Sequence, residues 1–89
     1  MPVFMIERQY AEQLDFDADD LRDLVEINDD EQVRWLYSFL SVDKRKTYCL
    51  YDAPDPEAIR RAAVRAGLPA DAIVEIVARV LPDGSEVQV

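Results

Sequence analysis

Glu7, Glu75 and Cys49 are the side chains of this sequence whose donor chemistry suits a divalent cation, two as carboxylates and one as a soft thiolate. Trp35, Tyr37 and Tyr51 add large amphipathic rings of the kind that line small-molecule cavities. The chain contains no histidine, so the imidazole that serves most often as general base and transition-metal ligand is missing. One cysteine excludes a paired-cysteine zinc spacing, and two glycines, Gly67 and Gly84, exclude a glycine-rich phosphate loop. Catalysis would fall to carboxylates, tyrosines or the thiol, and no nucleophile-and-base pattern accompanies them. Each candidate also has a plainer reading. A glutamate can face water or pair with Arg8 or Arg79, a lone cysteine packs as a small hydrophobe, and alternating strand aromatics build interfaces and cores.

All of these residues fall in segments that read as strands. Val3 to Tyr10 is rich in strand formers and has no interior Pro or Gly. Asp17 resembles a helix N-cap, with Phe16 and Leu21 spaced as a hydrophobic staple, and Leu21, Leu24 and Val25 form the stripe of a helix that fades near Asn28 to Asp30. Gln32–Ser41 and Thr47–Asp52 read as two strands joined by the polar loop from Val42 to Lys46. Asp55 and Pro56 open a second helix, and Gly67 and Pro69 close it. Ile73–Leu81 is the last strand, followed by a turn and a short tail, so the expected division is a domain over 1–81 and a tail over 82–89.

Strand, helix, strand, strand, helix, strand is the split βαβ order of a ferredoxin-like α+β domain, a four-stranded antiparallel sheet with both helices on one side. Alternation sorts the strand residues into two sets. Phe4, Ile6, Leu36, Leu40, Tyr48, Leu50, Val74, Ile76 and Val80 are the set expected under the helices. Trp35, Tyr37, Cys49, Tyr51, Glu7 and Glu75 belong to the opposite set, which mixes rings, carboxylates and a thiol as ligand pockets and subunit interfaces both do. A register pairing Val3 with Arg79 would place Glu7 against Glu75, an arrangement that needs a cation, a nearby arginine or a shared proton.

The chain has 89 residues, 19 acidic and 10 basic, for a net charge of −9, which disfavours nucleic acid and anionic membranes as partners. Ten of the acids lie between Glu12 and Glu31 with Arg22 as the single base, which serves solubility or offers a surface to a basic protein. No stretch approaches the length of a membrane span, and the start lacks the pattern of a secretory signal. With its unpaired cysteine, the chain reads as cytoplasmic. One domain of this size has a small core, which association through a sheet face would enlarge.

The runs Val33-Arg34-Trp35-Leu36-Tyr37-Ser38-Phe39, Lys46-Thr47-Tyr48-Cys49-Leu50-Tyr51-Asp52-Ala53-Pro54 and Pro56-Glu57-Ala58-Ile59-Arg60, with Gly67-Leu68-Pro69 and Glu7-Arg8, resemble a bacterial family catalogued as domain of unknown function 4242. The resemblance covers residues 3 to 77. It implies a ferredoxin-like fold that forms a homodimeric α/β barrel, and nickel binding, which some members are described as having. It also implies site roles for Glu7, Trp35, Cys49, Tyr51 and Glu75. The expected function is a small dimeric binding protein that holds nickel, another divalent metal or a small ligand in a polar-aromatic barrel interior. The alternatives are a dimeric barrel enzyme acting on a small organic molecule, by analogy of fold alone, and an acidic protein-interaction module.

Overall fold

The computed structural model describes residues 1–15 and 17–89. Its elements are β1 (Val3–Gln9), α1 (Ala18–Asp30), β2 (Arg34–Leu40), β3 (Lys46–Asp52), α2 (Pro56–Ala66), β4 (Ala72–Ile76), β5 (Ala78–Val80) and β6 (Glu86–Gln88). The first four strands and the two helices follow the expected order, and the sheet runs β2-β3-β1-β4 with every neighbouring pair antiparallel. This is the ferredoxin-like α+β arrangement.

Local chemistry fixes the helix ends. The Asp17 carboxylate accepts the Asp20 N–H at 2.8 Å, and Asp55 accepts the Ala58 N–H at 2.8 Å, each satisfying a donor that the first helical turn leaves open. Gly67 takes the left-handed conformation at φ 68°, and Leu68 N–H donates to the Ala63 carbonyl at 2.9 Å, which closes α2. The Phe16 half of the expected staple lies outside the described residues. Val25 faces solvent, and the stripe of α1 instead runs through Leu21 and Leu24 to the buried Asn28. Arg61 and Arg65 of α2 reach Glu31 and Asp30, tying the end of α1 to its neighbour.

The core gathers Phe4, Ile6, Val33, Cys49, Tyr51, Ala53, Ala58 and Ile59, with Trp35, Ala70 and Ile73 against it. The expected core set is therefore on the helix side for β1 and for Leu40 of β2, and shifted in phase in β3 and β4. Phe4 stands opposite Tyr51 and Ile6 opposite Cys49, and directly paired residues share a face, so Thr47, Cys49 and Tyr51 turn toward the helices while Tyr48 and Leu50 turn away. In β2 an irregularity between Trp35 and Tyr37 slips the register, so Trp35 and Leu40 share the helix side although their positions differ by an odd number. In β4, Ile73 and Glu75 pair with Ile6 and Phe4, which leaves Val74 and Ile76 on the outer side.

The last expected strand, 73–81, divides at Val77. Its partner β1 begins at Val3, opposite Ile76, and Pro2 before it has no N–H to prolong the ladder. Beyond that point the chain pairs with itself, β5 against β6, around a turn in which Gly84 adopts φ 87°. Residues 86–88 of the expected tail are thus the second strand of a hairpin.

Candidate functional site

Arg8 extends the Phe4–Ile6 row by one more step, so strand alternation carries its side chain under the helices. It is 3% exposed. Thr47, its partner across the ladder, is equally buried, and together with Tyr10, Ser38, Trp35, Cys49 and Tyr51 these residues line a cavity of about 230 Å³. Leu21 and Leu24 from α1, Leu40 from β2 and Leu68 after α2 complete its wall. The helix stripe therefore positions the apolar side of the cavity and the sheet its polar side.

The polar groups are ordered by one another. Tyr10 Oη and Thr47 Oγ1 share a hydrogen bond at 3.0 Å, the Cys49 thiol donates to the same Thr47 oxygen at 3.4 Å, and the Trp35 indole N–H donates to Ser38 Oγ at 2.8 Å. Arg8 donates through Nη1 to the Pro69 carbonyl, and its guanidinium carbon lies 5.8 Å from the centre of the Tyr51 ring, a cation–π contact. Burial raises the pKa of both Tyr51 and Tyr10 above the ordinary phenol value, outweighing the opposing pull of Arg8 on each and of the Thr47 hydrogen bond on Tyr10. Both phenols are therefore neutral at physiological pH and able to donate.

The open face of the sheet differs. Tyr37 and Phe39 pack edge to face at 5.6 Å, beside Tyr48, Leu50, Met5 and Val74. Glu7 lies on this side, its carboxylate 2.6 Å from Lys46 Nζ, and Lys46 also approaches the Tyr48 ring at 5.4 Å. The hydrogen bond to Glu7 holds the Lys46 ammonium above its usual pKa.

The structure thus separates the sequence-derived candidates. Glu7 stands opposite Ala72 and Glu75 opposite Phe4, so the expected Glu7–Glu75 pairing is replaced by carboxylates on opposite sides of the sheet. The assumed Val3–Arg79 partnership is in fact Val3–Ile76, a shift of three residues that follows from β4 ending where β1 begins. Cys49 is enclosed on the helix side and hydrogen-bonded to Thr47. Trp35 and Tyr51 do share a cavity, but Tyr37 lies on the open face. Arg8, Tyr10 and Thr47 are the cavity residues that sequence reasoning passed over. A signal for Arg8 existed, since a charge occupied the same strand phase as Phe4 and Ile6, the two residues correctly placed in the core.

The chain matches the model of a family described as nickel responsive protein SCO4226-like over residues 4–76. It belongs to that family. Among solved structures it is similar to the crystal structure of SCO4226 from Streptomyces coelicolor A3(2), with a TM-score of 0.64 and 27% sequence identity, covering 83% of this chain and 94% of that one. No curated protein matches it. The family model stops at the end of β4, so the β5–β6 hairpin lies outside the span that defines the family. The SCO4226-like description raises the question of a nickel site. Among the described residues no three Cys, Asp or Glu side chains converge as metal ligands would, Glu7 is engaged by Lys46, and Cys49 and Glu75 are both on the other side of the sheet. The donors of one protomer do not fit a nickel site.

Proposed function

We propose that this SCO4226-like chain is a small metal-responsive binding protein that works as a homodimer, two copies closing their open sheet faces on each other around a shared interior. The observation that carries this reading is the open face itself. Tyr37 and Phe39 are 48% and 57% exposed, and Val74 is 55% exposed, on the side of the sheet opposite the helices. An apolar and aromatic patch of this kind marks an interaction surface, and covering it would enlarge a core that is small in an 89-residue chain. A net charge of −9 on each copy opposes association elsewhere, because the acidic α1 surfaces repel one another.

The family description supports nickel as the first cation to test, with other divalent ions as alternatives. Glu7 is the donor to test, because a second copy would add its own Glu7 to the same interior and so supply what one protomer lacks. Lys46 is the resident cation that a metal would displace. The functional unit in this reading is the domain over 1–81, with 82–89 as an appendage, and the free Cys49 fits a reducing cytoplasm.

Sedimentation analysis combined with nickel titration by calorimetry tests both halves. The expected result is a dimer that takes up nickel, with affinity reduced about tenfold or more in Glu7→Gln. A chain that stays monomeric at high concentration removes the dimer, and a Glu7→Gln protein that binds nickel as the parent does removes Glu7 from the site.

A further inference from the structure

Arg8 poses an electrostatic problem that the fold leaves open. A buried guanidinium is ordinarily matched by a carboxylate, because an unpaired charge removed from water loses its hydration with nothing to replace it. The other arginines with ion pairs, Arg22, Arg34, Arg60, Arg61 and Arg65, are all surface residues, and Arg8 makes no ion pair among the described residues. Asp71 lies near the same strand end, but its carboxylate accepts the Gln9 backbone N–H at 2.7 Å. What Arg8 has is one main-chain carbonyl, from Pro69, and Tyr51, through its ring face and a hydrogen-bonding approach to its hydroxyl. A guanidinium carries five N–H donors, so most of its capacity is unspent in a cavity it helps to line.

The surroundings define what could complete it. Hydroxyls of Tyr10 and Thr47 stand on the Arg8 side, and Leu21, Leu24 and Leu68 face them. The space of about 230 Å³ is below the roughly 300–1,000 Å³ of pockets that take drug-sized ligands, so the occupant is compact. One cation calls for one negative charge. A phosphate, bearing up to about two charges and needing donors on several sides, would meet apolar leucines where it requires N–H groups.

We infer that the cavity between the sheet and α1 binds a small organic monocarboxylate, its carboxylate paired with the Arg8 guanidinium and its apolar body lying among Leu21, Leu24 and Leu68. Arginine presents two parallel N–H groups that match a carboxylate, which supplies both the charge and the orientation. The Tyr10–Thr47 pair leaves one hydroxyl hydrogen free to donate, and the leucines exclude water from the ion pair. The site is independent of the proposed dimer and its metal, because Arg8 and Glu7 are neighbours in β1 and point to opposite sides of the sheet.

The test is a titration of the whole labelled chain, followed by amide and indole NMR signals, with benzoate, hexanoate, benzamide and inorganic phosphate as probes. At least one of the two carboxylates is expected to move Arg8, Thr47, Cys49 and the Trp35 indole. Benzamide, which keeps the shape of benzoate without its charge, should bind at least about tenfold more weakly than benzoate wherever benzoate binds. Arg8→Met should abolish carboxylate binding while the spectrum stays folded. Should that variant fold poorly, slowed alkylation of Cys49 in the parent protein when a carboxylate is present gives the same answer without a mutation. Equal binding of benzoate and benzamide, shifts caused by phosphate rather than carboxylate, or no shift and no protection with either carboxylate overturns the assignment.

Discussion

The two faces of the sheet are made by the same four strands, yet they solve opposite problems. The helix side encloses a charge, Arg8, with hydroxyls, a thiol and two rings around it, and spends its hydrogen bonds internally. The outer side exposes aromatic surface and keeps its charges in ion pairs at the margins, Glu7 with Lys46 and Arg34 with Asp52. The helix side thus buries one unmatched charge within an otherwise apolar core, and the outer side leaves aromatic surface to water, two features that stability of an isolated protomer disfavours. In the proposed reading each face is incomplete alone, the inner one for want of a counter-charge and the outer one for want of cover.

The contrast breaks most visibly on truncating matched aromatics. Phe4→Ala, at a position 2% exposed, should cost about 3–5 kcal/mol in urea denaturation. Phe39→Ala, at a position 57% exposed, should change the stability of the separated protomer by less than about 0.5 kcal/mol and instead weaken self-association, which sedimentation would read. Equal losses at the two sites would mean that the faces are not differently covered.

Exchanging the cations sharpens the comparison at smaller scale. Arg8→Met replaces an unmatched buried charge with an apolar side chain of similar length, and should leave stability unchanged or raise it by about 1–4 kcal/mol. Lys46→Met on the open face should leave it nearly unchanged, because water screens an ion pair at the surface. A large loss in Arg8→Met would show that Pro69 and Tyr51 already satisfy the guanidinium.

Alkaline titration gives the third and most graded difference. Burial raises the Tyr51 and Tyr10 phenols in the folded chain, so the unfolded chain loses those protons first. Stability is then fully present below the unfolded tyrosine pKa of about 10 and is lost as pH rises toward the folded values. Tyr51→Phe should flatten that alkaline decline in thermal melts, and an undiminished decline in the variant would break this part of the comparison.

Much of the fold was legible because it rests on local chemistry. Asp17, Asp55, Pro56 and Gly67 mark helix ends through hydrogen bonds and backbone angles set within four residues, and the order of elements then permits few topologies. The candidate site was legible only in part. By sequence, Trp35 and Tyr51 group with Tyr37 as a pocket and Cys49 with Glu7 and Glu75 as metal donors, whereas the structure gathers Trp35, Cys49 and Tyr51 on the helix side and separates Glu7 from Glu75 by a register that the end of β1 dictates.

The sequence by itself determined the segments of β1 to β3 and of the two helices and that Phe4 and Ile6 look inward, but not that the last strand divides at Val77 or that 86–88 pairs with 78–80. Only the tertiary structure decided which residues meet. A strand's side chains alternate with period two, so a one-residue change of phase turns the whole strand over, and no local signal in β3 says whether Tyr48 or Cys49 faces the helices. That choice was made by the partnership of β1 with β3, which sets Phe4 against Tyr51 and Arg8 against Thr47, and by the irregularity that reverses β2 between Trp35 and Tyr37. Pairing across the ladder is a property of two segments brought together, and it is the physical reason the Arg8 cavity exists on one face and the aromatic patch on the other.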